Sequence, residues 1–255
     1  MEFIDTHTHL YDEAFEGDYD AVVDRAVAAG ISKMILPDIA SSSRQDMFDL
    51  ADRHPGVLYP CLGLHPEDVQ DDWEAAWAEL SNWQGRKIWA IGETGLDFYW
   101  SKDHIIEQEE VFRRHIRLAL ETELPLIIHV REATGAVLKI LEEFKSEKLK
   151  GSMHAFTGSI ETFREISKTG DWYFGIGGVV TFKKAGIADT VKDIPLERII
   201  LETDSPYLTP VPYRGKRNES AYIPYIAQKI ADVKGISVEE VAQVTTANAK
   251  TLFNI

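Results

Sequence analysis

Cysteine is almost missing. Cys61 stands alone in a chain of 255 residues, which excludes an intrachain disulfide framework and any Cys-rich zinc module. No apolar run approaches the roughly 20 residues of a membrane span. The opening MEFIDTHTHL lacks the basic start and apolar core of a secretory signal, so a cytoplasmic protein is the default expectation. Pro- or Ser-rich linkers, low-complexity stretches, long charge blocks and repeated motifs are absent too. Positive charge is in deficit, with 27 Lys and Arg against 42 Asp and Glu, a formal net charge of −15. That balance argues against broad coating of nucleic acid or an anionic membrane, while leaving one local site open. No obligate protein partner is evident.

What is present is a recurring alternation. Short apolar runs are followed by amphipathic stretches of helical period. The runs are Phe3-Ile4, Met34-Ile35-Leu36, Val57-Leu58-Tyr59, Ile88-Trp89-Ala90-Ile91, Leu126-Ile127-Ile128, Gly151-Ser152-Met153, Trp172-Tyr173-Phe174 and Ile199-Ile200-Leu201. The sixth is a poor strand former and is placed by spacing. Between them, Val111, Phe112, His115, Ile116, Ala119 and Leu120 share one helical face, as do Val137, Leu138, Ile140, Leu141 and Phe144. Continuous apolar strands suit a parallel sheet covered on both faces, and eight strand–helix units in about 250 residues predict a (β/α)8 TIM barrel spanning residues 1–255 as one domain. An open doubly wound sheet would want a Gly-rich phosphate turn after its first strand, and there is none. Residues 222–255 add two more helical patterns.

Barrel enzymes carry their chemistry at the C-terminal ends of the strands. His7 and His9 follow the first run, His65 the third, Glu93 the fourth, His129 the fifth, His154 the sixth and Asp204 the eighth. An HxH pair alone is weak, but residues i and i+2 of a strand share a face, and Glu93, His129, His154 and Asp204 arrive at the same rim from four further strands. Four histidines and two carboxylates exceed the needs of one ion. The economical arrangement is two divalent ions bridged by Glu93, with His7, His9 and Asp204 on one and His129 and His154 on the other. Such a pair activates water and stabilises a leaving oxygen. Mg²⁺, Mn²⁺ and Zn²⁺ are the candidates.

Other residues carry weaker signals. His65 in GLHP suits a rim loop that binds a phosphate oxygen or leaving group, or simply packs. Arg131, two residues past His129, suits bidentate phosphate contact, with a structural salt bridge as the alternative. Arg214, Lys216 and Arg217 form the densest basic patch, in the loop after strand eight where barrels often bind phosphate. Phe98, Tyr99, Trp100 and Tyr207 follow strand ends and suit either base stacking or a hydrophobic lid. Gly175, Gly177 and Gly178 lack the Lys-Ser/Thr of a P-loop and suit close approach of backbone to substrate or metal. Asp5 fits either a histidine-orienting acceptor or a cap. His115 on its apolar stripe reads as a core histidine, His54 as a helix-end residue, Trp73 and Trp77 as packing, and Cys61 as a small buried hydrophobe.

THTHL, GETGLDFYW, PLIIHVREA, HAFTG and ETDSPYLTP with RGKRNE resemble the TatD family of metal-dependent deoxyribonucleases, in the amidohydrolase-like barrel superfamily, from His7 to Leu252-Phe253. The resemblance implies a TIM barrel, divalent-metal-dependent DNA hydrolysis, often 3′→5′ exonucleolytic, and His7, His9, Glu93, His129, His154 and Asp204 as ligands. Family members usually carry Pro where this chain has Ser220. The expected reaction is attack of a metal-bound hydroxide on phosphorus, with Glu93 and Asp204 as the catalytic carboxylates and His65, Arg131, Arg214, Lys216 and Arg217 on a DNA substrate that is single-stranded or frayed. The alternative is a metal-dependent amide or ester hydrolase of the same superfamily, including an aminoacyl-ester deacylase. Many such barrels bridge their metals with a modified lysine at strand four, where this chain has Glu93. A non-catalytic barrel would need a degraded ligand set, and nothing is missing from this one.

Overall fold

The computed structural model describes residues 1–83, 85–100 and 102–255. Eight strands run β1 (Phe3–Asp5), β2 (Ile31–Leu36), β3 (Leu58–Pro60), β4 (Ile91–Asp97), β5 (Leu126–Arg131), β6 (Lys150–Met153), β7 (Asp171–Ile176) and β8 (Ile199–Leu201). All neighbours are parallel, in the orders β1-β2-β3 and β4 through β8. Two seams join these sheets into the (β/α)8 barrel. At one, the Thr6 N–H donates to the Leu201 carbonyl and the Asp204 N–H to the His7 carbonyl, each at 2.9 Å. At the other, the Leu62 N–H donates to the Ala90 carbonyl and the Gly92 N–H to that of Leu62.

The helices are α1 (Tyr19–Ala28), α2 (Ser41–Arg53), α3 (Trp73–Glu79), α4 (Ile105–Thr122), α5 (Thr134–Glu143), α6 (Ile160–Ile166), α7 (Ile187–Asp193), α8 (Ile223–Lys234) and α9 (Val238–Phe253). They bury the expected stripes: Val111, Phe112, His115, Ile116 and Ala119 on α4, and Val137, Ile140 and Leu141 on α5. Among the described residues no helix is long and apolar enough to cross a membrane.

Strand parity divides the core and places the site. Ile4, Ile35, Tyr59, Ile127, Tyr173 and Ile200 form one cluster with Cys61 and with Leu252 and Phe253 of α9. Their neighbours Phe3, Met34, Leu36, Leu126, Ile128, Phe174, Ile199 and Leu201 belong to the larger cluster packed with the helices. Since alternate residues share a face, the parity of Ile127 carries on to His129 and Arg131.

One strand departs from the sequence expectation. The apolar run 88–91 with Gly92-Glu93-Thr94-Gly95 at its end marks the fourth strand in the sequence, but β4 starts only at Ile91 and runs on to Asp97, every residue buried. Its polar side chains hid it. Each is satisfied by a specific partner, as Thr94 is by His115 at 2.8 Å, so burial there needs no apolar run. The weak sixth strand is real. A Cβ on Gly151 would lie 2.4 Å from the Leu126 carbonyl oxygen, so close strand approach explains its poor β-forming composition.

Candidate metal centre

Chain entry from β1 sets the first pair. Thr8 turns to hydrogen-bond Ser205, and the flanking His7 and His9 turn the other way, their Nε2 atoms 3.1 Å apart. Glu93, nearly fully buried, reaches both: its Oε2 lies 3.0 Å from His7 Nε2 and 3.7 Å from His9 Nε2. Asp204 closes this group, with Oδ1 at 3.9 and 3.5 Å from the same two nitrogens. Its backbone is left-handed, φ 56°, a conformation aspartate tolerates better than most residues.

The other oxygen of Glu93 faces a different set. Oε1 lies 3.0 Å from His129 Nδ1, 3.4 Å from His65 Nε2 and 3.8 Å from His154 Nε2. His154 Nε2 is also 3.8 Å from Asp204 Oδ1, and its ring stacks on His7 with centroids 3.4 Å apart. The structure therefore brings together His7, His9, His65, Glu93, His129, His154 and Asp204, with one carboxylate between two groups of nitrogens.

Outer contacts fix which ring nitrogen carries a proton. The Tyr11 hydroxyl donates to the Pro37 carbonyl, so its oxygen accepts from His9 Nδ1, 3.1 Å away, and the neutral ring keeps its Nε2 lone pair toward the centre. His129 Nε2 donates to Asp97 Oδ2 at 2.8 Å, leaving Nδ1 toward Glu93. His65 is reversed: its Nδ1 accepts the Glu67 N–H at 3.2 Å, so its neutral ring carries the proton on Nε2 and faces the cleft as a donor. The pattern distinguishes His65 from the ligand types around it.

Charge follows the same geometry. Burial would raise the Glu93 carboxyl, but His7, His154 and His65, with the His129 hydrogen bond, hold it well below the ordinary range. Burial pulls His129 down, yet Asp97 and Glu93 push it up to about 9. His154, likewise opposed by burial, is pushed up to about 10 by Glu202, Glu93 and Asp204. His7 is pulled down to about 4, chiefly by burial and by the charge of His154.

A metal fits this arrangement. His7 Nδ1 is buried without a hydrogen-bond partner, lone-pair atoms of His7, His9 and Asp204 lie close enough to surround an ion, and Glu93 Oε1 and His129 Nδ1 stand together on the other side of the bridge. Imidazole and carboxylate donors with no thiolate suit divalent ions of hard to borderline character.

Sequence reasoning missed three supporting residues. Asp97 was legible by parity, four residues past Glu93 on one strand. Glu202, two before Asp204, accepts the Ala155 N–H at 2.6 Å and lies 3.1 Å from His154 Nδ1 without hydrogen-bond alignment. Tyr11 carried no spacing signal. Of the two readings of Asp5 the cap-like one holds: it accepts from the backbone N–H of His7 and from the N–H and hydroxyl of Thr203, tying β1 to the end of β8, with no bond to an imidazole ring among the described residues, and burial pushes its carboxyl up to about 7. The glycines after β7 admit the chain's own atoms rather than substrate or metal. A Cβ on Gly175 would lie 2.0 Å from Glu202 Oε2, and one on Gly178 2.0 Å from the Leu208 carbonyl.

The cleft over the centre encloses about 660 Å³, and Arg131, Trp100, Tyr207 and Leu208 contribute to its walls. Arg131 lies over the Tyr99 ring at 3.9 Å and 5.1 Å from that of Trp100, with no ion pair among the described residues. The basic loop does not line the cleft. Arg214 stacks on Phe182, and Arg217 covers Phe15, bonds the Ala14 carbonyl and pairs with Asp18. Lys216 lies near the Tyr213 ring. Ser220, where a proline is usual, is buried, its hydroxyl 3.4 Å from that of Thr8. His115 is a core histidine whose Nε2 accepts the Leu64 N–H, steadying the loop that carries His65. His54 ends α2 and meets Asp20, and Cys61 is fully buried.

A parallel eight-stranded barrel with imidazoles and carboxylates converging on its C-terminal rim defines a metal-dependent hydrolase. The chain belongs to the TatD related DNase family, whose profile matches residues 4–254. It is 43% identical over 255 residues to YabD, a metal-dependent hydrolase of Bacillus subtilis, with 98% of each chain covered. It is 35% identical over 260 residues to the 3′-5′ ssDNA/RNA exonuclease TatD of Citrobacter rodentium, covering 98% of this chain and 97% of that one. The fold is similar to the crystal structure of YJJV, a TatD homologue of Escherichia coli K12, with a TM-score of 0.89 and 28% identity over 99% and 98% of the two chains.

Proposed function

We propose that this chain is a deoxyribonuclease that shortens single-stranded or frayed DNA from the 3′ end, using two divalent ions shared through Glu93. The carrying observation is the division of that carboxylate, Oε2 toward His7 and His9, Oε1 toward His129 and His154. His7, His9 and Asp204 would hold one ion, His129 and His154 the other; Mg²⁺, Mn²⁺ and Zn²⁺ are the candidates. When bound, the ions supply an activated water and neutralise charge on the phosphoryl oxygens. Asp204, the most exposed of the two catalytic carboxylates at 15% against 3% for Glu93, faces the cleft and accepts the proton of the attacking water. His65 donates from Nε2 to a phosphate oxygen. Arg131 offers its guanidinium to the next phosphate, and Trp100 and Tyr207, both more than half exposed, offer ring faces to unpaired bases. Arg214 and Lys216, free of ion pairs among the described residues, serve phosphates farther along the strand. Arg217 has the smallest share, since Asp18 already holds it.

The name of the Citrobacter relative, a 3′-5′ single-strand exonuclease, supports this reading over amide or ester hydrolysis. Glu93→Gln and Asp204→Asn test it. Both variants should lose shortening of a single-stranded oligonucleotide in the presence of metal while retaining the wild-type circular dichroism spectrum. Wild-type shortening by either one contradicts the assigned roles.

A further inference from the structure

Asp97 is the last residue of β4, and nothing about it is left unspent. Its backbone is clamped by the buried Gln108 of α4, whose Oε1 accepts the Asp97 N–H at 3.0 Å and whose Nε2 donates to the Asp97 carbonyl at 3.2 Å. Its Oδ1 accepts the backbone N–H groups of Tyr99 at 2.9 Å and Trp100 at 3.3 Å. Its Oδ2 accepts from His129 Nε2 at 2.8 Å. Glu93 and Asp97 thus hold the His129 ring from opposite edges, and Gly95 between them sits directly across from His129 in the ladder. Resting on the two-ion reading, we infer that Asp97 is a positioning residue that fixes the His129 tautomer for metal and ties that ligand to the Tyr99-Trp100 shelf on which Arg131 lies.

Proton count sets the tautomer. A neutral imidazole has one N–H and one lone pair. While Asp97 takes the N–H at Nε2, the lone pair must sit on Nδ1, which faces Glu93. An asparagine at 97 can keep its carbonyl on the Tyr99 and Trp100 amides only by turning its NH2 toward Nε2. The ring must then accept there and carry its proton on Nδ1, where the ion needs the lone pair. The reverse amide orientation leaves the shelf amides facing an NH2 group instead. Partners of this kind commonly govern metal affinity by about 10–100-fold.

The test is a Mn²⁺ titration of the metal-free full chain by calorimetry, with ion content checked by mass spectrometry, on wild type, Asp97→Asn, Asp97→Ala and Glu67→Gln. The expected result is two ions in the wild type, a loss of about 10–100-fold in affinity at one site only in both Asp97 variants, and no change in Glu67→Gln. Thermal melting of the metal-free variants identifies any that fail to fold, and either Asp97 variant alone suffices. Two ions bound with wild-type affinity in both Asp97 variants overturn the role of Asp97 while sparing the two-ion reading. A single ion in the wild type overturns that reading and the inference with it. Weakened binding in Glu67→Gln overturns the inference in favour of Glu67 and Asp97 holding an ion themselves.

Discussion

At the residue scale the site is a set of histidines whose protons are assigned by their outer neighbours. Tyr11 gives His9 one tautomer and the Glu67 amide gives His65 the other, so five similar side chains at one rim acquire different roles. Their ionisation predicts a pH dependence of definite sign. His129 and His154, at about 9 and 10, carry protons at neutral pH in the metal-free chain, and ligation requires the neutral ring. Metal uptake near pH 7 therefore expels protons, and affinity climbs with pH until those values are passed. The metal-free fold runs the other way. Imidazoles raised above their ordinary 6.5 stabilise the fold fully below that value and lose the contribution as pH rises through about 9 and 10. The rise in melting temperature on adding Mn²⁺ should be larger at pH 9 than at pH 7, and the heat of Mn²⁺ binding at pH 7 should vary with the ionisation heat of the buffer. Buffer-independent heats would contradict the assignment.

At the element scale β4 carries the decisive geometry. Gly95 has φ 131°, and a Cβ there would lie 2.1 Å from the His129 carbonyl oxygen. Gly95→Ala should destabilise the chain by about 3 kcal/mol through backbone strain and overpacking, read as a shift in the denaturant midpoint; an unshifted midpoint would mean that the β4–β5 ladder yields without cost. Much of this level was legible in advance. His7, His9, Glu93, His129, His154 and Asp204 were placed at one rim by their position after apolar runs, and the structure gathers them. The start of β4 was not legible, because GETGLD is buried through specific polar contacts that hydropathy cannot register. Asp97 and Glu202 lie inside the GETGLDFYW and ETDSPYLTP motifs, but each stands behind a histidine, Asp97 bonded to His129 and Glu202 beside His154, a placement that only the closed barrel reveals. The glycines after β7 were legible as points of close approach, but what approaches them is Glu202 and the Leu208 carbonyl, contacts between strand ends that only the closed barrel creates.

At the scale of the whole molecule, charge is the informative quantity. A chain of −15 repels a polyanion wherever cations are not concentrated, so the state of each cation near the rim matters. Arg131 lines the cleft with no ion pair among the described residues, while Arg217 of the basic loop spans Asp18, Ala14 and Phe15. The two should behave oppositely. Arg131→Ala should weaken binding of a single-stranded oligonucleotide and lower the salt dependence of the binding constant by about 0.7 in log–log slope, one phosphate contact. Arg217→Ala should lower the melting temperature by a few degrees and leave that slope nearly unchanged. Fluorescence anisotropy across a salt series and a thermal melt separate them, and an unchanged slope for Arg131→Ala would remove it from the phosphate path.

Phosphodiester cleavage with two ions held across Glu93 is what we propose for this chain. Single-turnover reaction of the wild-type chain with 5′-labelled single- and double-stranded DNA in Mg²⁺, Mn²⁺ and Zn²⁺, beside an ester and an amide substrate, decides it. The expected result is a ladder of products shortened stepwise from the 3′ end, faster on the single strand and abolished by chelation. Intact DNA in all three metals beside a cleaved ester or amide would contradict it.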